Sequence, residues 1–366
     1  MDLREGALEN MDMTQSFWAG KRVLVTGHTG FIGSWLCLWL HRLGAEVSGA
    51  ALDPPSQPSL FEVARVAGLI SDARCDVRDA ASVAKVVQAS RPDVVFHLAA
   101  QALVRESYRT PIETYATNVR GTVHVLDALR HHPGAEAVVV VTSDKCYAND
   151  ESGRPLRELD PLGGVDPYSS SKAGAELVAA SYRDSFLRSS GVPVATVRAG
   201  NVIGGGDWAA DRLLPDIVRA FACGQPVRIR HPTATRPWQH VFDPIAGCMA
   251  LAEALAMHGD EYAEPWNFGP DPREARPVSH VVAVAKESWA KGGSFEIDNG
   301  EHVHEAHQLR IDASKAQTRL GWRPRWDVDR AVRESLKWYR AHFEGEDMLR
   351  YSQAQIAEFS GAGRHD

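Results

Sequence analysis

The chain has 366 residues, a length that predicts about two domains or one large α/β domain. Apolar residues make up 44% and charged residues 24%, a globular composition that excludes a largely disordered chain. The 40 Lys and Arg against 47 Asp and Glu leave a net charge of −7. That balance gives no indication of the basic face that non-specific nucleic-acid binding requires, so no nucleic-acid partner is expected.

Short apolar runs alternate with longer helical segments from residue 21 to about residue 200. Strands are predicted at residues 22–25, at 46–52, just before residue 76, at 93–97 and at 137–142. Helices are predicted at residues 31–43, 80–89 and 117–130. Continuous apolar strands separated by helices predict an α/β fold, a Rossmann-type doubly wound parallel sheet covered on both faces. Such sheets bind ligands at the carboxyl ends of their strands.

The same pattern predicts the organisation of the chain. Residues 18–200 are expected to form an NAD-binding Rossmann domain to which some later segments return. Residues 201–345, rich in Gly and Pro, are expected to form mainly a smaller, loop-rich substrate-binding portion. Residues 1–17 resemble a flexible leader and residues 346–366 a polar, partly ordered tail. Five widely spaced cysteines, no secretory signal and no apolar run of about 20 residues predict a cytoplasmic protein without a membrane partner.

A glycine-spaced turn follows the first predicted strand. Residues 21–33 read KRVLVTGHTGFIG, with glycines at 27, 30 and 33. Glycines allow a tight turn and a close backbone approach, and the N-terminus of the following helix suits a pyrophosphate. Asp53, 26 residues after Gly27, suits the 2′-hydroxyl of an adenine ribose and repels a 2′-phosphate, which favours NAD over NADP. A turn that only packs a helix is the alternative, and the strand–turn–helix context with Asp53 in register argues against it.

Other residues of the turn, and residues after the third and fourth strands, are expected to contact the same cofactor. They are Gly27, Thr29, Gly30, Phe31, Ile32, Gly33, Asp76, Val77, Leu98, Ala99 and Ala100.

Tyr168 and Lys172 are spaced four residues apart and are predicted to share one helix face. A nearby ammonium and a cationic nicotinamide both favour phenolate, which gives a base for a substrate hydroxyl as hydride leaves its carbon. The spacing alone is common by chance. Its weight comes from its place after the glycine turn and 26 residues after Thr142, at the end of the fifth strand. Both side chains are also expected to contact the cofactor.

These motifs, in this order, resemble those of the extended short-chain dehydrogenase/reductases that act on nucleotide sugars. The segment at the end of the fifth strand, residues 141–147, reads VTSDKCY. The 4,6-dehydratases of that family carry Thr-Asp-Glu or a similar triplet at this place. The branch that acts on CDP-glucose has an Asp-Lys pair there, as this sequence does at Asp144 and Lys145. Ile32, where Lys is expected, and Ala102, where Pro is expected, depart from that branch without touching the inferred chemistry. Further segments resemble the branch over about residues 18–340: 27–31 with 34–36, 51–55, 198–208 and 236–241.

The resemblance implies an NAD-dependent lyase that converts CDP-glucose to CDP-4-keto-6-deoxyglucose and water. The reaction consists of C4 oxidation, elimination across C5 and C6, and hydride return to C6, and it serves deoxysugar and polysaccharide (O-antigen) biosynthesis. Because many relatives pair through two helices per subunit, it also implies a homodimer or higher homo-oligomer. Three alternatives stay open: a nucleotide-sugar 4-epimerase, a dehydratase of another NDP-hexose, and a non-catalytic NAD-binding regulator, against which the intact Tyr168 and Lys172 argue.

The resemblance also implies catalytic roles. Asp144 is expected to be the acid for the 6-hydroxyl, which requires burial to keep it protonated. Lys145 stands where related dehydratases hold a glutamate base, and a base role requires its pKa to fall by several units through desolvation and nearby positive charge. The alternative for Lys145 is a charged side chain that stabilises the enolate. Ser143 is expected to hydrogen-bond the 4-oxygen.

The substrate end is expected among arginines, indoles and polar side chains, most of them in the second half. Arginine offers a planar fork for phosphate, and an indole offers a face for the base or sugar, although any one arginine could simply be solvated. The expected residues are Arg105, Asn201, Trp208, Arg212, Arg236, Trp238 and His240. His302, His304 and His307 have a spacing that suggests a metal, but neighbouring glutamates and the lack of a supporting cysteine favour a solvated loop, so no metal site is predicted.

Overall fold

A computed structural model describes residues 16–289, 293–298, 300 and 308–361. Its centre is a seven-stranded parallel sheet with the order β3-β2-β1-β4-β5-β6-β11. The strands of this sheet are β1 (Arg22–Thr26), β2 (Glu46–Ala51), β3 (Ser71–Arg74), β4 (Val94–His97), β5 (Ala137–Val141), β6 (Val194–Ala199) and β11 (Pro265–Phe268). The predicted doubly wound parallel sheet is therefore confirmed.

Short strands pair outside the main sheet in the second half of the chain. They are β7 (Val202–Ile203), β8 (Val227–Ile229), β9 (Thr235–Arg236), β10 (Gln239–His240), β12 (Arg276–Pro277) and β13 (Phe295–Ile297). These pairs shape the loops that face the carboxyl edge of the sheet.

Helices connect the strands along the chain. Those of the first half are α1 (Phe31–Arg42), α2 (Leu60–Val63), α3 (Ala80–Ser90), α4 (Val104–Arg109), α5 (Pro111–Tyr115), α6 (Gly121–His131) and α7 (Pro167–Tyr182). Those of the second half are α8 (Leu213–Ala222), α9 (Phe242–His258), α10 (Val278–Ser288), α11 (Ser314–Arg319), α12 (Val328–Phe343) and α13 (Met348–Ser360). Among the described residues, no helix combines the length and apolarity needed to cross a membrane.

The sheet is buried on both faces, which explains its apolar strands. All four residues of β4 are buried, and β5 reads AVVVV with only Val141 partly exposed. One face packs against α3 and α6, and the other packs against α1 and α9. A strand covered on both sides gains stability from apolar side chains at every position.

The C-terminal segment differs from its prediction as a partly ordered tail. Residues 348–360 form α13, capped by the Asp347 carboxylate, which accepts hydrogen bonds from the amides of Leu349 and Arg350. Ile356 and Phe359, spaced three apart, are buried, and Phe359 packs edge-on with other core rings. One apolar stripe thus holds an otherwise polar helix. Residues 1–15, the three histidines between 302 and 307 and residues 362–366 lie outside the described residues.

Candidate active site

A cleft of about 1000 Å³ lies at the carboxyl ends of the central strands and is closed by loops of the second half. It is lined by all of the predicted catalytic and cofactor residues and by every predicted substrate residue except His240. The structure therefore brings the predicted residues, apart from His240, together in one cleft. The individual roles of these residues stay predictions.

The glycine turn joins β1 to α1 at the floor of the cleft. Gly27 has a φ of +76°, and a Cβ there would lie 2.7 Å from the backbone nitrogen of Ala99. A Cβ on Gly33 would lie 2.3 Å from the carbonyl oxygen of Gly27, so neither position accepts a side chain. Helix α1 begins after Gly30 with no acidic residue in its first turn. An uncapped helix N-terminus beside glycine backbone fits the pyrophosphate of a dinucleotide.

The far end of this floor carries two acidic residues. Asp53 follows β2 with a largely exposed carboxylate that forms an ion pair with Arg74, whose Nε lies 2.9 Å from Asp53 Oδ1. Asp76 follows β3 and forms a fork-to-fork ion pair with Arg78. Thr29 donates a hydrogen bond to the carbonyl of Leu52, which holds the turn against the end of β2. The carboxylate of Asp53 thus lies at the end of β2 and lines the cleft. Its contact with the adenine ribose stays a prediction.

Tyr168 and Lys172 lie on one face of α7, and both are buried. Burial raises the pKa of Tyr168 to about 12, although a hydrogen bond with Ser143 lowers it in part. Burial lowers the pKa of Lys172 to about 8, and its ammonium donates to the carbonyl of Val141 at 3.1 Å. Among the described groups, burial outweighs the hydrogen bond with Ser143. That the Lys172 ammonium and a cationic nicotinamide together favour the phenolate of Tyr168 stays a prediction.

Asp144 begins a short 3₁₀ turn after β5 and is almost fully buried. The Ser143 hydroxyl donates to Asp144 Oδ1 at 3.2 Å, whereas Oδ2 has no hydrogen-bond partner among the described residues. Burial raises the pKa of Asp144, and the positive charges of Lys145 and Arg236 offset this only in part. The environment therefore favours a protonated carboxyl, as an acid requires.

Lys145 lies next to Asp144 at the wall of the cleft and is partly buried. Its backbone amide donates to the Ser143 hydroxyl at 3.2 Å, which fixes the turn. This arrangement places an amine beside an acidic group, and it suits both a base role and an electrostatic role.

The predicted arginines of the substrate end line the cleft together with carboxylates. Arg105 forms an ion pair with Asp211 at 2.9 Å, and Arg212 forms one with Asp207 at 3.0 Å. Arg236 is buried and donates to the carbonyl of Thr235 at 3.0 Å. Guanidinium groups held by carboxylates in a cleft are positioned for an anionic ligand.

The predicted polar and aromatic residues of this end divide into two groups. Asn201, Trp208 and Trp238 line the cleft. His240 does not, which corrects its prediction as a substrate contact. Its ring is fully buried against Phe242 and Trp326, and burial lowers its pKa to about 3.

Sequence reasoning missed several lining residues. Gly200 touches the acid directly, since a Cβ there would lie 1.7 Å from Asp144 Oδ2. Arg228 and Arg230 extend the basic wall at β8, and Asp211 joins Arg230 to Arg105. The alternation of arginine and apolar residues at 227–230 is the signal that could have revealed them. Among the described residues there is no cluster of His, Cys, Asp or Glu that could hold a metal.

Comparisons with known proteins place this site in a family. The sequence model described as the NAD dependent epimerase/dehydratase family matches residues 23–263. The CDP-glucose 4,6-dehydratase of Salmonella typhimurium is 49% identical over 95% of this chain and 98% of its own length. A dTDP-glucose 4,6-dehydratase of Actinoplanes sp. is 29% identical over 88% of this chain and 98% of its own length.

The fold is also similar to solved structures. A UDP-glucose-4-epimerase from Stenotrophomonas maltophila, with bound NAD and formylated UDP-arabinopyranose, superimposes with a TM-score of 0.78 at 25% identity. The match covers 88% of this chain and 99% of that one. The chain therefore belongs to the NAD dependent epimerase/dehydratase family.

Proposed function

We propose that this chain is a lyase that converts CDP-glucose to CDP-4-keto-6-deoxyglucose and water with NAD as its cofactor. The carrying observation is the similarity to the Salmonella typhimurium dehydratase over nearly the whole of both chains. The site supports it, because a buried acid and an amine, Asp144 and Lys145, lie in the same cleft as Tyr168 and Lys172. A 4-epimerase needs only Tyr168 and Lys172.

The cleft fits NAD along its floor. The glycine turn and the start of α1 would hold the pyrophosphate, and Asp53 would bind the ribose hydroxyls. When bound, NAD supplies the hydride acceptor for C4, the hydride donor for C6 and a positive charge that favours the phenolate of Tyr168. The small side chains of Ala99 and Ala100 leave room beside it.

The remaining steps are proton movements by this chain's own residues. The Tyr168 oxygen removes the proton of the sugar 4-hydroxyl, while the Ser143 hydroxyl hydrogen-bonds the 4-oxygen. The 4-ketone acidifies C5–H, Lys145 accepts that proton, and the protonated carboxyl of Asp144 donates to the departing 6-hydroxyl, which leaves as water. When C6 is reduced, Lys145 returns its proton to C5. The nucleoside diphosphate and the sugar are bound by Arg105, Asn201, Trp208, Arg212, Arg236 and Trp238. His240 is buried away from the cleft and has no such role.

The first experiment is turnover with a panel of sugar nucleotides. Purified protein is incubated with NAD and, separately, with CDP-, dTDP-, UDP- and GDP-hexoses, and the 4-keto-6-deoxy product is read from its absorbance in alkali. Product from CDP-glucose alone is the expected result. Product only from another nucleotide would overturn the CDP assignment, and conversion of a hexose to its C4 epimer without elimination would overturn the dehydratase itself.

We further propose that two copies of the chain pair through α5 and α7. These helices contact each other, and Ile112 on α5 and Leu177 on α7 are 79% and 62% exposed. Exposed apolar side chains on adjacent helices are the surface that a symmetric helix-pair interface buries. We also propose a cytoplasmic location, which fractionation of the source cells tests.

A further inference from the structure

A buried ion pair lies directly behind the catalytic residues. Glu176 on α7 and Arg198 on β6 are 3% and 2% exposed, and their side chains meet at 2.7 Å. Glu176 follows Lys172 by one helical turn, as Lys172 follows Tyr168, so the three share a face of α7. None of the proposed chemical steps uses Glu176 or Arg198, and neither residue lines the cleft.

Glu176 divides its two oxygens between the two neighbouring strands. One oxygen accepts a hydrogen bond from the hydroxyl of Thr142, the residue that follows β5. The other accepts from the hydroxyl of Thr196 on β6 at 2.7 Å and from Arg198. A carboxylate with three donors, one of them charged, holds its neighbours more tightly than neutral hydrogen bonds do.

Thr142 is the point at which this network reaches the chemistry. It directly precedes Ser143 and Asp144, and its hydroxyl also lies 3.0 Å from the carbonyl of Val197. Val141, on its other side, accepts the hydrogen bond from the Lys172 ammonium. Two consecutive residues at the end of β5, Val141 and Thr142, are thus hydrogen-bonded to side chains of α7, Lys172 and Glu176 respectively. The end of β6 belongs to the same arrangement, because Thr196 and Arg198 on β6 donate to Glu176 and Gly200, just after β6, abuts the Asp144 carboxylate. Glu176 therefore links the three segments that carry the site, which are the end of β5, helix α7 and the end of β6.

We propose that Glu176 is a positioning residue that, through Thr142, holds the β5 end and its acid in register with Tyr168 and Lys172. This inference rests on the proposed function for its kinetic part only. Displacement of a catalytic group by about 1 Å costs on the order of 100-fold in rate, so a tether at this point matters for turnover more than for substrate binding.

The test compares two matched substitutions, T142V and T196V, each of which removes one hydroxyl that donates to Glu176. Changing Glu176 itself to Gln leaves Arg198 buried without its counter-ion, so that variant can fail to fold. We expect T142V to lower kcat at least about tenfold with KM nearly unchanged. T196V, with a similar loss of thermal stability, should keep kcat within about twofold of the parent chain.

A second measurement does not depend on turnover. Hydrogen–deuterium exchange of residues 142–146 should be faster in T142V than in the parent chain and unchanged in T196V. Equal losses of kcat in both variants, or unchanged exchange at 142–146 in T142V, would overturn the positioning role. If the parent chain dehydrates none of the sugar nucleotides, the proposed function fails, and the exchange measurement still decides this inference.

Discussion

The burial of Asp144 makes a prediction about stability as a function of pH. Its pKa is raised in the folded protein, whereas an unfolded aspartate titrates near about 4. The folded state therefore binds more protons, and stability falls as pH rises from about 4 toward the raised pKa. Asn cannot ionise, so we expect the free energy of unfolding of D144N to fall less than that of the parent chain between pH 4 and pH 8. Thermal unfolding at both pH values measures this.

A carboxylate with the opposite shift provides the control. Asp150 is exposed, and hydrogen bonds from Ser152 lower its pKa. Its contribution is present above the unfolded pKa and is lost as pH falls. D150N should therefore show no gain at pH 8, and a gain equal to that of D144N would contradict the assignment to buried Asp144.

Lys145 offers two roles that substitution can separate. Arginine keeps the positive charge but cannot act as a base near neutral pH, whereas methionine removes both. If Lys145 is the base, K145R and K145M should both lose about 100-fold or more in dehydration. C4 oxidation should survive in both, so reduced nicotinamide accumulates and its absorbance reports the blocked step. Retained dehydration in K145R alone would instead favour the electrostatic role.

Single-residue contacts differ in how far the sequence predicts them. Gly27, Asp53 and Tyr168 were predictable because their spacing follows from one strand–turn–helix unit or one helix face. His240 was not, because its burial depends on Trp326, which is remote in the chain. The raised pKa of Tyr168 is likewise a property of the assembled site, because burial causes it.

Gly200, just after β6, lies so close to Asp144 that we expect the single methyl group added in G200A to reduce activity. A Cβ on Gly200 would lie 1.7 Å from Asp144 Oδ2 and 2.1 Å from the carboxyl carbon, so the acid must move in G200A. We expect dehydration to fall at least about tenfold, with C4 oxidation retained. Steady-state turnover and nicotinamide absorbance check both. G68A, where a Cβ meets nothing within 4 Å, is the control, and an equal loss there would rule out the contact with Asp144 as the cause.

Among whole elements, the strands of the first half were predicted from the sequence, whereas β6 and β11 were not, although both are largely buried. β1, β2, β4 and β5 are apolar runs, and their observed ends lie within one residue of the predicted ones. β11 contains Pro265 and Asn267, which do not suggest a strand. Asn267 is nevertheless fully buried, because its side chain accepts from the Tyr147 hydroxyl and donates to two backbone carbonyls. Such compensation by distant groups cannot be read from local composition.

At the scale of the whole molecule, the helical face of α5 and α7 predicts the state of association. Replacing Ile112 and Leu177 by arginine puts four charges, two from each copy, where a symmetric interface would bury four apolar side chains, and unpaired buried charge is strongly unfavourable. We expect the I112R/L177R variant to elute as a monomer in size-exclusion chromatography with light scattering, whereas the parent chain elutes as a dimer. M257R, at a 56% exposed methionine on α9, is the control and should stay dimeric. Unchanged mass for I112R/L177R would place any interface elsewhere on the surface.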